Sequence, residues 1–253
     1  MKRSPDILKK PFGSQERSYQ SRIRDSRLVS FHVRVKETDL HIQAHRPLQE
    51  QALESVLRHR GYLEALIHEN PEFATTLTPW VSPDPMPLVI ADMISAGKAA
   101  GVGPMAAVAG AIAQRVAQDL FPLSEEIIVE NGGDIYIRST EPVTVAVFAG
   151  NSPFSMKMGI ELAPAGQPIC VCTSSGTVGH SLSFGKADAV SIVAEDCALA
   201  DAVATSIANR IRKAKDIEPA IDAGAKIPGV KGIVIVLGKA AGFWGDIHLT
   251  QIR

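Results

Sequence analysis

Residues 126–138 read Glu-Ile-Ile-Val-Glu-Asn-Gly-Gly-Asp-Ile-Tyr-Ile-Arg, two β-branched and aromatic runs around an Asn-Gly-Gly-Asp centre. Asn-Gly and Gly-Gly suit the positive φ of a tight two-residue turn, so the stretch predicts a β-hairpin of strands 126–130 and 134–138. Working outward, strand-like runs follow at 143–148, 156–162, 169–172, 187–194, 232–237 and 246–252. Upstream, 28–35 and 38–44 alternate apolar and polar residues around Lys36-Glu37 and read as another hairpin. Helical spacing marks 47–70, 104–120 and 196–213, with Pro104 suited to a first helical position, and a short helix is expected over 88–100 after the proline-rich connector 78–87. Runs of strands joined by hairpin-length turns, with helices inserted, predict an α+β fold of mixed or antiparallel sheets and packed helices. A doubly wound parallel sheet is disfavoured.

The chain has 253 residues, the upper range of one hydrophobic core, so two intimately packed lobes are expected. Lys+Arg number 26 and Asp+Glu 27, but residues 1–36 hold ten Lys/Arg against three Asp/Glu and residues 37–253 hold sixteen against twenty-four. The reading is therefore a basic N-terminal arm, 1–27, followed by one folded domain, 28–253. Three cysteines, none in a ligand-like cluster with His, predict no disulfide framework and no structural zinc site, and a reducing cytoplasm as the compartment. The most apolar stretch, 102–113, is far shorter than the roughly 20 residues a membrane span needs.

Three segments carry candidate chemistry. Gly132 and Gly133 lack Cβ atoms, so their turn is either a plain hairpin or a place where a ligand approaches the backbone, with Asp134 beside it. The loop Cys172-Thr173-Ser174-Ser175-Gly176-Thr177-Val178-Gly179-His180 is rich in donors and poor in bulk, either a flexible turn or a cradle for phosphates. Asp201, Thr205 and Asn209 stand at i, i+4 and i+8 of one helix, a polar stripe that is either a solvated face or a source of hard oxygen ligands of the kind Mg²⁺ accepts.

Taken together, in order and spacing, these segments resemble the ApbE-like superfamily, whose best known members are Mg²⁺-dependent FAD:protein FMN transferases. The Ala/Gly helix at 106–120, Gly132-Gly133-Asp134, Thr173 to Gly176 with His180, and Ala200-Asp201-Ala202-Val203-Ala204-Thr205 carry the resemblance. The stretches KETDL, GVGPMAAVAGAIA, VENGGDIY and TSSGTVGHSLSFGKADAV look more closely still like a prokaryotic branch of that superfamily. The resemblance covers about Tyr19 to the C-terminus.

It implies that Asp201, Thr205 and the carbonyl of Ala106 hold Mg²⁺. It implies further that Gly132, Gly133, Asp134, Thr173, Ser174, Ser175 and Gly176 border a flavin nucleotide, and that His180 is a catalytic base near the reacting phosphate. FAD would be ligand or substrate, and a protein hydroxyl the acceptor. The transferases carry Lys-Gly where this chain has Ala109-Gly110, and an upstream acid where it has Gly103; their long segment before the metal helix is compressed here to about 177–187. The expected function is thus Mg²⁺-dependent flavin nucleotide binding with transfer of an FMN moiety; the alternative is a flavin-binding or sensor protein without turnover. Because the candidate residues lie in the acidic body, a nucleic-acid partner is disfavoured. The arm reads as a docking segment, including one for a homo-oligomer.

Overall fold

The computed structural model describes residues 27–82, 84–163, 166–176 and 185–252. The first hairpin is β1 (Val29–Val35) and β2 (Thr38–Ala44), turned at Lys36, which takes a left-handed φ of 53°. Helix α1 (Gln49–Glu69) follows, then α2 (Leu88–Ala100), closed by Gly101 at φ 71° as a left-handed cap. The helix expected over 104–120 is α only from Val108. Pro104–Ala107 forms a 3₁₀ turn, in which the Ala106 N–H donates to the Gly103 carbonyl, and Val108–Leu120 is α3. Ala106 therefore sits at the entrance of the helix rather than inside it.

The central hairpin is β3 (Ile127–Asn131) and β4 (Asp134–Arg138), with Asn131 opposite Asp134 and Gly132 at φ 69°. Strands β5 (Val143–Ala146), β6 (Met158–Leu162), β7 (Ile169–Ser174) and β8 (Ala189–Ala194) lead to helix α4 (Cys197–Ala208). This helix is shorter than the expected 196–213. The N–H groups of Arg212 and Lys213 turn to the Asp216 carboxylate, which starts a separate helix, α5 (Ile217–Ala225). Strands β9 (Val230–Leu237), β10 (Ala240–Gly245) and β11 (His248–Gln251) complete the chain; neither α5 nor β10 was among the expected elements.

Eight strands make one antiparallel sheet in the order β1-β2-β3-β4-β7-β8-β9-β10, and β11-β6-β5 make a second. The α+β expectation is met, and the two lobes are two cores sharing the large sheet. Leu40, Ile42, Val129, Tyr136, Ile192 and Ile235 face the five helices, whereas Ile128, Ile135, Val171 and Val234 face the small sheet. Alternate residues of β3, β4, β7, β8 and β9 enter opposite cores, as the two-residue period of a strand requires. No single helix among the described residues is long and apolar enough to cross a membrane.

The cysteine expectation is overturned. Cys170 of β7 and Cys197, the first residue of α4, are joined as a disulfide, and Cys172 is a buried free thiol. A separation of 27 residues carries no signal of this pairing; the packing of α4 on β7 brings the two together. The arm through residue 26, Thr177 and His180 lie outside the described residues.

Candidate functional site

Asp196 caps the N-terminus of α4, its side chain accepting from the Leu199 N–H at 2.7 Å. The cap and the Cys170–Cys197 link fix where the helix starts on the sheet. Asp201 and Thr205 then fall one and two turns along, and both line a cavity of about 480 Å³. Asp134, the first residue of β4, lines the same cavity, as do Ala106 and Asn209. The opposite wall is the segment Ala74 to Leu77. Gly103 makes that wall close: a Cβ there would collide with the Thr76 carbonyl.

The floor is the N-terminus of α3. The Gly110 N–H donates to Asp201 Oδ2 at 3.0 Å, and the Ala109 N–H also reaches this carboxylate. Asp201 thus caps a helix that has no capping side chain of its own. Gly110 permits the approach, because a Cβ would strike the Cys197 carbonyl and crowd Asp201. Behind it, Asn131 Nδ2 donates to the Ala109 carbonyl at 3.0 Å, tying the end of β3 to the peptide that holds Asp201.

Burial pushes the Asp201 carboxyl well above the ordinary carboxylate range, and the neighbouring Asp134 carboxylate adds to the rise; the two N–H donors do not offset it. Cys172 stands opposite Asp134 across β4 and β7. Burial raises this thiol strongly, and the charges of Asp134 and Asp201 push it further up. Its Sγ hydrogen-bonds the Cys197 carbonyl at 3.4 Å, and such a thiol stays protonated and unreactive. Two crowded carboxylates facing a cavity are relieved by a shared proton or by a cation. With the Thr205 hydroxyl they form a hard-oxygen set, suited to Mg²⁺ together with water or phosphate oxygens. Among the described residues no group of three or more His, Cys, Asp and Glu could hold a metal, so such a set depends on neutral oxygens as well.

The expected nucleotide-bordering residues are placed less uniformly. Asp134 is in the cavity, while Gly132, Gly133 and Thr173 to Gly176 do not line it. They adjoin one another, since the Thr173 N–H donates to the Gly133 carbonyl at 3.0 Å, and the Thr173 hydroxyl pairs with that of Ser191 at 2.8 Å. Gly176 and Gly185, at the two feet of the loop, touch, and Gly185 packs on the Ala208 carbonyl. Gly176 and Gly185 therefore lie beside the C-terminal end of α4, at Ala208 and Ile211. Reading the residues missed Asn131 and the 74–77 wall. The Asn had a signal, its place beside the Gly-Gly turn; the wall had none.

The family model described as AbpE bacteria matches residues 20–242. A UPF0280 protein of Methanosarcina barkeri is 38% identical over 222 residues, covering 87% of each chain. One from Methanothermobacter thermautotrophicus is 42% identical over 197 residues, 76% of each. Among solved structures, the Pseudomonas stutzeri flavinyl transferase ApbE superposes with a TM-score of 0.52 at 15% identity, covering 88% of this chain and 94% of that one. The ApbE protein of Thermotoga maritima gives 0.53 at 14% identity, over 85% and 96%. At such identities the likeness speaks for the fold, while the family model and the archaeal relatives carry the assignment: the chain belongs to the UPF0280 proteins, a branch of the ApbE-like superfamily.

Proposed function

We propose that this protein binds a flavin nucleotide, FAD, together with Mg²⁺, and transfers the FMN moiety to a protein hydroxyl. The observation that carries the reading is the convergence of Asp134, Asp201, Thr205 and Ala106 on one cavity at the N-terminus of α3. Asp201, Thr205 and the Ala106 carbonyl would hold the metal, with Asp134 beside them. A bound Mg²⁺ supplies positive charge against a pyrophosphate. Among the chain's own parts, the Asp201 carboxylate is oriented by the Gly110 and Ala109 N–H groups, and the 74–77 wall narrows the access of water. The 173–176 strand end and the Gly132-Gly133 turn would border the nucleotide, and His180 would accept the proton of the attacking hydroxyl. The hydroxyl oxygen bonds to the FMN phosphorus, the bond to the AMP oxygen breaks, and AMP leaves.

Incubation of the protein with FAD and Mg²⁺, read by AMP release and by intact mass of protein acceptors, tests the reaction. AMP release that Asp201→Ala abolishes is the expected result; its absence, with no flavin retained, sinks the reading. Ala109, standing where the transferases carry Lys, favours a second reading as a flavin-binding or sensor protein without turnover. Calorimetric binding of FAD with Mg²⁺, lost in Asp201→Ala and unaccompanied by AMP, would select it.

A further inference from the structure

The large sheet ends in two strands of different character. On β1 the exposed residues include Ser30, His32 and Arg34, the polar and charged side chains with which proteins blunt a free edge. At the other end, β10 reads Ala-Ala-Gly-Phe-Trp-Gly, with no charge and no proline. Among the described residues it pairs only with β9, and Phe243 is 65% and Trp244 39% exposed. Leu237 and Ala240 close the β9–β10 hairpin around Gly238-Lys239. In such a ladder Ala240, Gly242 and Trp244 exchange hydrogen bonds with β9, and the N–H and C=O groups of Ala241 and Phe243 point outward.

Alongside the edge runs a groove of about 500 Å³, between β10 and the flank of α5, lined by Ile217, Glu218 and Ile221 and by Ala240 and Gly242. Ala240, Gly242 and Trp244 share the face of the sheet that α5 covers, because Gly242 lies directly under Ile217 and Ile221.

We infer that β10 pairs antiparallel with β10 of a second copy of this chain, on a two-fold axis at Phe243, joining two eight-stranded sheets into one. In that register Phe243 faces the second copy's Phe243, and Ala241 faces its Gly245. The second copy's Trp244 stands opposite Gly242 on the α5 side, where the groove receives its ring. The uncharged strand is thus complementary to itself in backbone hydrogen bonds and in the fit of Trp244 beside Gly242, as an isologous two-fold interface requires.

Sedimentation of the full chain is expected to show a dimer across the micromolar range. Phe243→Pro removes only an outward N–H and should run at half that mass with an unchanged circular dichroism spectrum. Trp244→Ala should raise the dimer dissociation constant about tenfold or more. A gain-of-contact variant guards against a folding defect in either. Residues facing each other in an outward hydrogen-bonded pair have Cα atoms about 5.5 Å apart, within disulfide range, so Phe243→Cys should cross-link two chains on mild oxidation while Lys36→Cys does not. A monomer at every concentration, or the absence of that cross-link, would overturn the inference. So would a dimer that survives Phe243→Pro but is lost on deleting residues 1–27, which would assign the contact to the arm.

Discussion

Glu126 and Asp201 are two carboxylates drawn into the same fold, and the chain treats them in opposite ways. Glu126, just before β3, receives both guanidinium nitrogens of Arg27 at 3.1 Å, the Thr140 N–H at 2.9 Å, the Ser139 hydroxyl at 3.1 Å and His45 Nε2 at 3.4 Å. Burial alone would raise its pKa, but Thr140, Arg27 and His45 outweigh burial and bring it to about 2. Asp201 has two backbone N–H groups and the charge of another carboxylate acting on it, so burial and Asp134 drive it up. Where the protein supplies the compensation itself, the carboxylate is part of the scaffold. Where compensation is incomplete beside a cavity, the carboxylate is the candidate for binding on which the proposed function rests.

The largest effect expected is at Asp201. Asp201→Asn should weaken FAD and Mg²⁺ binding by more than about a hundredfold, beyond the range an outer-shell partner reaches, while thermal stability is kept or raised because a carboxylate repulsion is gone. Calorimetry and thermal unfolding of the same sample check both halves; lost stability with retained binding would invert the contrast. Glu126→Ala comes next and should do the reverse, costing about 2–3 kcal/mol in urea unfolding with binding unchanged.

The two groups also differ in sign with pH. The folded-state pKa of Glu126 lies below its ordinary 4.5, so its contribution is complete above that value and is lost as pH falls toward about 2. Asp201 is raised, so without metal it weakens the fold as pH rises above the ordinary carboxylate value. Unfolding curves of the parent, Glu126→Gln and Asp201→Asn across acidic to neutral pH should show these opposite slopes.

Asn131→Ala leaves the ligands in place but frees the Ala109–Gly110 peptide, and should cost about tenfold in metal or nucleotide affinity. An unchanged titration would show that Asp201 needs no such support. The smallest effect belongs to Ser191→Ala, which breaks only the hydroxyl pair with Thr173 and should cost about 1 kcal/mol by chemical denaturation.

Much of this fold was legible in the residues because it rests on short-range rules. The alternation of 28–35 and 38–44, the Asn-Gly-Gly-Asp turn and the end of the proline-rich connector before 88–100 are local signals, and they appear as β1–β2, β3–β4 and α2. The misses lie where distant groups decide. The expected long last helix does not reach Lys213: after Ala208 the Arg210 and Ile211 N–H groups tighten onto the Ile207 and Ala208 carbonyls and those of Arg212 and Lys213 turn to Asp216, and β10 escaped notice because its Gly and Ala residues carry little strand preference. The Asp201-Thr205 stripe was visible as helical spacing, but nothing in that spacing separates a solvated face from a cavity wall.

Sequence alone determined the α+β character with mixed or antiparallel sheets, the polar stripe of α4 and the segments from which a site could be built, because periodicity and turn chemistry are written into neighbouring residues. Only the tertiary structure decided that Asp134 meets Asp201, that Cys170 meets Cys197, and that the N-terminus of α3 closes on Asp201 through Gly110. Those meetings depend on which strands neighbour which and on how closely two helices approach. Such distances arise from packing across 27 residues of chain for the two cysteines and more than sixty for Asp134 and Asp201, and no local pattern encodes them.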